Sequence, residues 1–287
     1  MLRIALPNKG RLHQECRELL ADAGLAVRAS SERALTASLG GAFEAIFVRA
    51  QDIPEFVADG AADAGITGWD LVVESGRPLT SRLDLAFGRC TIVVAAREDS
   101  GIRAVADIPE QSRVATVFPN ITRTFFADQG KAVVLAPVSG AVEIAPHLGI
   151  ADVIVDITST GSTLRVNGLR PVCTVMESSA RLISATTPLA DAQKVRALDE
   201  LAMALQSVLA ARGRRYVMAN VPRARLDEVK RILPGISGPT VIDVMNGGTM
   251  VAVHAVAPAD TIFRTIADLK ALGGEGILVT RIERLMP

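Results

Sequence analysis

Short apolar runs recur along the chain and alternate with segments in which apolar residues have helical spacing. Runs such as LRIAL, FEAIFV, TIVVAA, RVATVF, AVVLAP and DVIVDI have the length and branched composition of buried strands. Between the first two, LHQECRELLADAG predicts a helix that ends at Gly24, with one apolar stripe formed by Leu12, Cys16, Leu19 and Leu20. This alternation is typical of layered α/β folds.

Two changes in pattern divide the front of the chain. Between residues 85 and 107 it passes from strand to polar loop and back, which indicates a crossover into a second α/β lobe. Further on, PVCTVMESSARLISAT has the pattern of strands that return to the first lobe. We therefore expect lobe I in residues 1–90, completed by residues 171–212, lobe II in residues 91–170, and a ligand between the lobes.

A long helix and a small module follow. Thr187 and Pro188 suit the N-cap and first turn of a helix that ends at Gly213. Residues 213–287 then have the order βαββαβ, the ferredoxin-like arrangement, with NGG as the turn between the middle strands. Its two helices can cover one face of a four-stranded sheet with Leu226, Val229, Leu233, Ile262, Ile266 and Leu269. Without a catalytic cluster, such a module is more often regulatory or oligomeric.

Composition narrows the class of protein. Lys plus Arg and Asp plus Glu balance at 31 each, and aromatic residues make up 3% of the chain, which argues against nucleic acid as a partner. No apolar segment approaches the roughly 18 residues of a membrane span, and the N-terminus lacks the pattern of a secretory signal. Cys16, Cys90 and Cys173 lack metal-type spacing. We read them as free thiols of a cytoplasmic protein.

The most informative segment is ADVIVDITSTGSTL, residues 151–164. Asp152 and Asp156 project from one face of a strand. The strand runs into a loop, here called the hydroxyl loop, formed by Ser159, Thr160, Gly161, Ser162 and Thr163. Backbone N–H groups at such a helix start can bind a phosphate, while carboxylates accept hydrogen bonds from sugar hydroxyls. A phosphorylated ribose fits both, although a solvated strand end followed by an ordinary turn would have the same residues.

Cations after the early strands form a second candidate site. Lys9 and Arg11 flank Gly10 just before a predicted helix, and Arg49 ends the strand FEAIFV. Ligands usually bind at this end of strands in α/β folds, although single cations are also common on solvated surfaces. Micromolar binding requires about 8 kcal/mol, and each charge-assisted hydrogen bond contributes about 1.5–3 kcal/mol. One phosphate contact is therefore insufficient, and a ligand with a second anionic group is expected.

These motifs resemble those of the long form of ATP phosphoribosyltransferases, the family that opens histidine biosynthesis. The resemblance covers nearly the whole chain and is most specific in EIAPHLGIADVIVDITSTGSTL, with support from PNKGRL, VRAQDIPEFVADGAADAGITGWD and TVFPN. It implies two lobes similar to periplasmic binding proteins, followed by a ferredoxin-like regulatory domain. The implied substrates are ATP and phosphoribosyl pyrophosphate.

The resemblance also implies roles for individual residues. The hydroxyl loop would hold the ribose 5-phosphate, and Asp156 with Asp152 the ribose hydroxyls. Lys9, Arg11 and Arg49 would face the pyrophosphate, which Mg²⁺ would neutralise without a metal site on the protein. Asp70 and Glu143 would lie near the second substrate, although helix capping explains them equally well.

Regulation and assembly are implied in the same way. The last domain would bind histidine and shift a homo-oligomer between dimer and hexamer. Two other functions remain open from the residues alone: a cytosolic solute-sensing module, and a phosphoribosyltransferase that acts on another base. The conjunction of Asp156, the hydroxyl loop and the cations favours an enzyme over a sensor of neutral solutes.

Overall fold

The structure, a computed structural model, describes residues 1–27, 34–159, 161–245 and 248–286. The chain forms two compact units, residues 1–202 and 203–287. In chain order the first unit contains β1 (Leu2–Pro7), α1 (His13–Asp22), β2 (Thr36–Gly40), β3 (Phe43–Val48), α2 (Ile53–Ala58), β4 (Ala64–Gly68), α3 (Trp69–Ser75), β5 (Leu79–Asp84), β6 (Cys90–Arg97), β7 (Ser112–Thr116), α4 (Pro119–Asp128), β8 (Val133–Pro137), β9 (Val153–Thr158), α5 (Ser162–Val166), β10 (Leu169–Ser178), β11 (Ala180–Ala185) and the start of α6 (Ala192–Ala211).

The first lobe is built on a six-stranded sheet of order β2-β3-β1-β4-β11-β5. Strand β1 runs parallel to β3 and β4, so the loops after these three strands open at one edge of the sheet. Ala5 and Ile183 of the sheet pack against Ile53 and Val57 of α2 and Val72 of α3. This buried layer fixes the loops that carry the predicted cations.

The second lobe is built on a five-stranded sheet of order β10-β6-β9-β7-β8. Strand β9 is central and is buried on both faces. Val153 and Val155 pack into a core that includes Phe126 of α4. Ile154 packs on the opposite face, in a core that includes Leu164 of α5. Burial on both faces explains the continuous apolar run that predicted this strand.

The chain crosses between the lobes twice, from β5 to β6 and from β10 to β11. The predicted α/β body of two lobes is confirmed, with one correction to its boundaries. Residues 171–178 belong to β10, which pairs with β6 in the second lobe, so the chain returns to the first lobe only after Ser178. The apolar pattern identifies a strand but does not specify the sheet that it joins.

The second unit contains, after the end of α6, β12 (Arg214–Pro222), α7 (Leu226–Ile232), β13 (Thr240–Asp243), β14 (Met250–Pro258), α8 (Ile262–Ala271) and β15 (Glu275–Arg281). Its sheet has the order β13-β14-β12-β15. Val229 of α7, Leu233 at the end of that helix and Leu269 of α8 pack against alternate residues of β12 and β14, which confirms the ferredoxin-like prediction. Residues 246 and 247 of the predicted NGG turn lie outside the described residues.

Helix α6 begins later than predicted. Thr187 and Pro188 precede it, and the helix starts at Ala192. Asp191 Oδ1 accepts a hydrogen bond of 2.8 Å from Gln193 N, so an aspartate supplies the capping acceptor that we expected from Thr187. None of the helices in the described ranges is long and apolar enough to cross a membrane.

Candidate functional site

The hydroxyl loop begins where β9 ends. Gly161 N donates a 2.9 Å hydrogen bond to Thr158 Oγ1, and Gly161 has a φ of 70°, in the left-handed region that favours glycine. Ser162 then starts α5, and the first-turn amides of a helix point along its axis, toward a ligand at the N-terminus. Thr160 lies outside the described residues.

The hydroxyl loop is anchored by an apolar residue and open on its polar side. Leu164 is buried in the second lobe, whereas Ser159, Ser162 and Thr163 are exposed. Leu164 of α5 therefore anchors the loop in the core, while the side chains of Ser159, Ser162 and Thr163 face solvent.

Two carboxylates lie beside this loop. Asp156 is on the last part of β9 and accepts a 2.7 Å hydrogen bond at Oδ1 from Ile157 N. Burial raises the pKa of Asp156 to about 6, and the negative charge of Glu143 contributes to that rise. Glu143 stands on a short turn, Val142–Ile144, whose Val142 is buried in the second lobe. The structure thus brings together these two predicted residues.

Asp152 does not join them. It precedes β9, and Asp156 lies four residues further along the strand, a rise of roughly 13 Å. Its Oδ2 accepts a 2.8 Å hydrogen bond from Arg113 N. A shared face does not bring residues four positions apart on a strand together, and the predicted role of Asp152 at the same sugar stays a prediction. Glu143 is the acidic neighbour instead.

Two of the three predicted cations of the first lobe, Lys9 and Arg49, lie at one edge of its sheet. Pro7 of β1 is in register with Val48 of β3, and Asn8 N donates a 2.8 Å hydrogen bond to Val48 O. Lys9 and Arg49 follow these positions directly and are exposed. Within the described ranges neither side chain is paired with a carboxylate, so both charges are available to an anionic ligand.

Arg11 and Asp70 are placed at the crossover instead. Arg11 Nη1 donates to the carbonyl of Gly88. Asp70 is 2% exposed and accepts a 2.6 Å hydrogen bond from Ser178 Oγ. The structure gives both residues contacts within the protein, and their predicted roles toward substrates stay predictions.

Three residues at the crossover escaped the sequence analysis. Arg89, Glu177 and Arg181 line a cavity of about 320 Å³ that also reaches Ser159 of the hydroxyl loop. The guanidinium carbon of Arg181 lies 5.4 Å from the centre of the Trp69 ring, a cation–π contact. No sequence motif marks these three residues. For Arg49, by contrast, the position directly after a strand was a usable signal.

The described residues contain no group of three or more His, Cys, Asp or Glu side chains arranged to hold a metal ion. What they offer is a hydroxyl loop with two carboxylates in one lobe and free cations in the other. Such an arrangement suits a ligand with anionic groups at both ends and hydroxyl groups between them. Fold and site together define a two-lobed α/β ligand-binding body, followed by a separate ferredoxin-like unit.

Comparisons with known proteins identify the family. The family model described as ATP phosphoribosyltransferase matches residues 49–207, and the model described as HisG, C-terminal domain, matches residues 211–284. A protein named ATP phosphoribosyltransferase from Gemmatimonas aurantiaca is 68% identical over 292 residues, covering 100% of both chains. Its namesake from Halobacterium salinarum is 52% identical and covers 99% of this chain and 100% of its own length.

A solved structure agrees with this assignment. The ATP phosphoribosyl transferase (HisG:HisZ) complex from Thermotoga maritima matches with a TM-score of 0.62 and 28% identity, covering 72% of this chain and 99% of that one. The chain belongs to the ATP phosphoribosyltransferase family. The resemblance inferred from the motifs is thereby confirmed, as is the prediction of a transferase.

Proposed function

We propose that this enzyme transfers the phosphoribosyl group of phosphoribosyl pyrophosphate to N1 of the adenine of ATP, in the first step of histidine biosynthesis. The observation that carries the proposal is the division of one site between two lobes. The hydroxyl loop, Asp156 and Glu143 stand in the second lobe, and the unpaired Lys9 and Arg49 stand in the first.

Phosphoribosyl pyrophosphate is the phosphoribosyl donor of this reaction. Its 5-phosphate is proposed to bind at the hydroxyl loop. The first-turn amides of α5 and the exposed hydroxyls of Ser162 and Thr163 are donors that suit phosphate oxygens. The left-handed Gly161 keeps the backbone accessible, because no Cβ stands in the way of an approaching oxygen. Ser159, the first residue of the loop, is exposed as well.

The ribose is proposed to bind at Asp156 and Glu143. Ionised carboxylates only accept hydrogen bonds, and the two ribose hydroxyls supply the donors. Two neighbouring negative charges repel each other in the free protein, in line with the raised pKa of Asp156. Hydroxyl donors relieve this repulsion, so the bound sugar favours the ionised form.

The pyrophosphate is proposed to lie against Lys9 and Arg49, with Arg11 nearby. Mg²⁺ would arrive as part of the substrate, bound to pyrophosphate oxygens, and Lys9 and Arg49 would meet the phosphate charge that the metal leaves uncompensated. The metal would neutralise leaving-group charge. Holding both ends of the donor adds a second set of charge-assisted hydrogen bonds of about 1.5–3 kcal/mol each.

In the proposed reaction the bond from C1 of the ribose to the pyrophosphate oxygen breaks, and its electron pair leaves with the pyrophosphate. Adenine N1 forms the new bond to C1, and the positive charge that results is lost with a proton from the exocyclic amino group. Lys9 and Arg49 stabilise the departing charge, while Asp156 and Glu143 hold the ribose in line. The reaction requires no covalent intermediate on the protein.

The C-terminal unit is proposed to bind histidine and to regulate a homo-oligomer of dimers and hexamers. Residues 203–287 form a compact unit of their own, which is consistent with a role separable from catalysis. The match to the Thermotoga maritima chain covers 99% of that chain but only 72% of this one. This difference favours a catalytic body that does not include the C-terminal unit. A cytoplasmic location of the enzyme is part of the same proposal.

A matched pair of variants tests the proposed function. The purified chain is incubated with ATP, phosphoribosyl pyrophosphate and Mg²⁺, and the product is identified by mass. Thr163→Val removes one hydroxyl of the hydroxyl loop, and Thr124→Val removes an exposed hydroxyl of α4 as a control. We expect phosphoribosyl-ATP from the parent chain, and a KM for phosphoribosyl pyrophosphate raised about tenfold only in the first variant. Absence of that product from the folded parent chain would exclude the proposal.

A further inference from the structure

Helix α4 receives its N-terminal cap from the other lobe. Its own N-cap residue, Phe118, has no side chain that accepts a hydrogen bond, and Pro119 has no N–H to donate. The amides of Asn120 and Ile121 therefore need acceptors. Both donate to the carboxylate of Glu74, with 2.9 Å and 3.1 Å from Asn120 N to the two oxygens and 2.9 Å from Ile121 N to Oε2.

The contact is extended by the side chain of Asn120. Its Nδ2 donates a 2.7 Å hydrogen bond to the main-chain carbonyl of Glu74, and Arg123 Nη1 donates a 2.9 Å hydrogen bond to its Oδ1. The negative charge of Glu74 also suits the positive end of the α4 dipole. Side chain and main chain of one residue thus bind the same helix start.

Glu74 and helix α4 lie at the sheet edges of the two lobes where the candidate site residues are found. Glu74 lies on α3, which follows β4, a parallel neighbour of β1. Helix α4 follows β7, a parallel neighbour of β9. The hydroxyl loop and the loops of Lys9 and Arg49 open at these same edges, so Glu74 joins the two halves of the site.

Other hydrogen bonds between the lobes lie at the crossover. Asp70 binds Ser178 there, and Trp69 N donates to Ser179 O. Among the described residues, the hydrogen bonds that join the lobes away from the crossover segments are those of Glu74. Opening of the lobes would leave the Asn120 and Ile121 amides without an acceptor, and Ile121 is only 5% exposed.

We propose that Glu74 is a positioning residue that holds the two lobes at the separation which a donor spanning both of them requires. The inference rests on the proposed function, in which phosphoribosyl pyrophosphate contacts both lobes. Without Glu74, a spanning ligand must itself supply the free energy of closure, which lowers its apparent affinity. A ligand that contacts only the second lobe is unaffected.

Two ligands and three variants test this role. Ribose 5-phosphate reaches only the hydroxyl loop and its carboxylates, whereas phosphoribosyl pyrophosphate with Mg²⁺ spans both lobes. Binding of each is measured by calorimetry for the parent chain, Glu74→Ala and Glu74→Gln. Glu55→Ala is the control, because Glu55 is an acid on α2 of the same lobe that pairs with Arg77 of that lobe at 3.3 Å. Hydrogen exchange of the peptide from Pro119 to Asp128 is followed in parallel.

For Glu74→Ala we expect faster exchange at the start of α4 and a Kd for phosphoribosyl pyrophosphate raised about tenfold, with the Kd for ribose 5-phosphate unchanged. Glu74→Gln keeps one carbonyl acceptor and its size, so it gives a smaller change of the same sign even if the alanine variant does not fold. The control changes neither quantity.

Three results would overturn the inference: equal weakening of both ligands, an unchanged Kd for the spanning ligand in both Glu74 variants, or unchanged exchange at the start of α4. A parent chain that binds neither sugar phosphate would refute the proposed function instead. The exchange experiment would still decide whether Glu74 holds α4.

Discussion

Ser178 and Asp70 exchange two hydrogen bonds across the crossover between the lobes. Ser178 Oγ donates to Asp70 Oδ1 over 2.6 Å, and Asp70 N donates to Ser178 Oγ over 2.9 Å. Both residues are buried. Gly68 belongs to the same arrangement, since a Cβ at that position would stand 2.3 Å from Asp70 Oδ1. The site therefore rests on a buried polar contact between residues far apart in the sequence.

Ser178→Ala is expected to destabilise the first unit. The substitution leaves a buried carboxylate and a buried N–H without their partner, at a cost of about 3 kcal/mol. Denaturant unfolding followed by the fluorescence of Trp69, the single tryptophan of the chain, measures this effect. Ser139→Ala, at an exposed serine of the same unit, is the control and is expected to change stability by less than about 0.5 kcal/mol. Equal midpoints for the two variants would contradict the importance of the contact.

Asp156 is expected to give the chain a specific pH dependence. Its pKa rises from 3.8 to about 6 on folding, so between these values the folded chain holds a proton that the unfolded chain has lost. Its contribution favours folding below pH 3.8 and is lost as the pH rises through about 6. Asp156→Asn removes that loss and should stabilise the chain near pH 7 by about 2 kcal/mol, allowing for partial exposure.

Asp156→Asn, which should raise stability, should lower the affinity for phosphoribosyl pyrophosphate. Ribose hydroxyls need the ionised carboxylate, so the affinity of the parent chain for phosphoribosyl pyrophosphate should fall as the pH drops below about 6. The Asp156→Asn variant should bind phosphoribosyl pyrophosphate weakly at every pH. Its affinity should not show the change near pH 6 that the titration of Asp156 causes. Unfolding and binding experiments at a series of pH values measure both effects. A variant that is no more stable at neutral pH, or that binds like the parent chain, would argue against this role.

Arg49→Gln is expected to weaken the donor without disturbing the fold. Arg49 is exposed and unpaired with any carboxylate of the described chain, so its loss removes one charge-assisted contact to pyrophosphate. The KM for phosphoribosyl pyrophosphate should rise roughly 10- to 100-fold. Arg3→Gln removes the same charge at the opposite edge of the same sheet, at the start of β1, where Arg3 Nη1 donates to Ala61 O at 3.2 Å. An equal effect of both variants would point to general charge rather than to a pyrophosphate contact.

A chain that ends at Gly213 is expected to be insensitive to histidine. The truncation removes β12 to β15 and leaves the residues of the proposed transferase site in place. Initial rates with increasing histidine, for the full and truncated chains, measure the effect. The full chain should be inhibited and the truncated chain should not. Equal inhibition of both would place the regulatory site in the first unit.

Much of this fold follows from local patterns. The apolar run of β9 reflects burial on both of its faces, and the stripe of Leu226, Val229 and Leu233 in the second unit is the face that packs on the sheet. The placement of Lys9 near Arg49 was also accessible, because loops after parallel neighbouring strands open at one edge. These features depend on the spacing of apolar and charged residues along the sequence, so they can be predicted from the sequence alone.

Features that depend on pairing between distant segments were not accessible. Asp152 shares a face with Asp156 but precedes the start of β9, and only the position of Val142–Ile144 brings the charge of Glu143 to act on Asp156. The membership of β10 in the second sheet follows from its pairing with β6. Glu74 meets Asn120, 46 residues away, and no motif joins the two. Such contacts require the assembled lobes.

The most direct measurement is a crystal structure of the protein with phosphoribosyl pyrophosphate and Mg²⁺. We expect the 5-phosphate within hydrogen-bonding distance of the amides and hydroxyls at Gly161 to Thr163, the ribose on Asp156 and Glu143, and the pyrophosphate against Lys9 and Arg49. A donor bound elsewhere, or one that contacts a single lobe, would contradict this expectation.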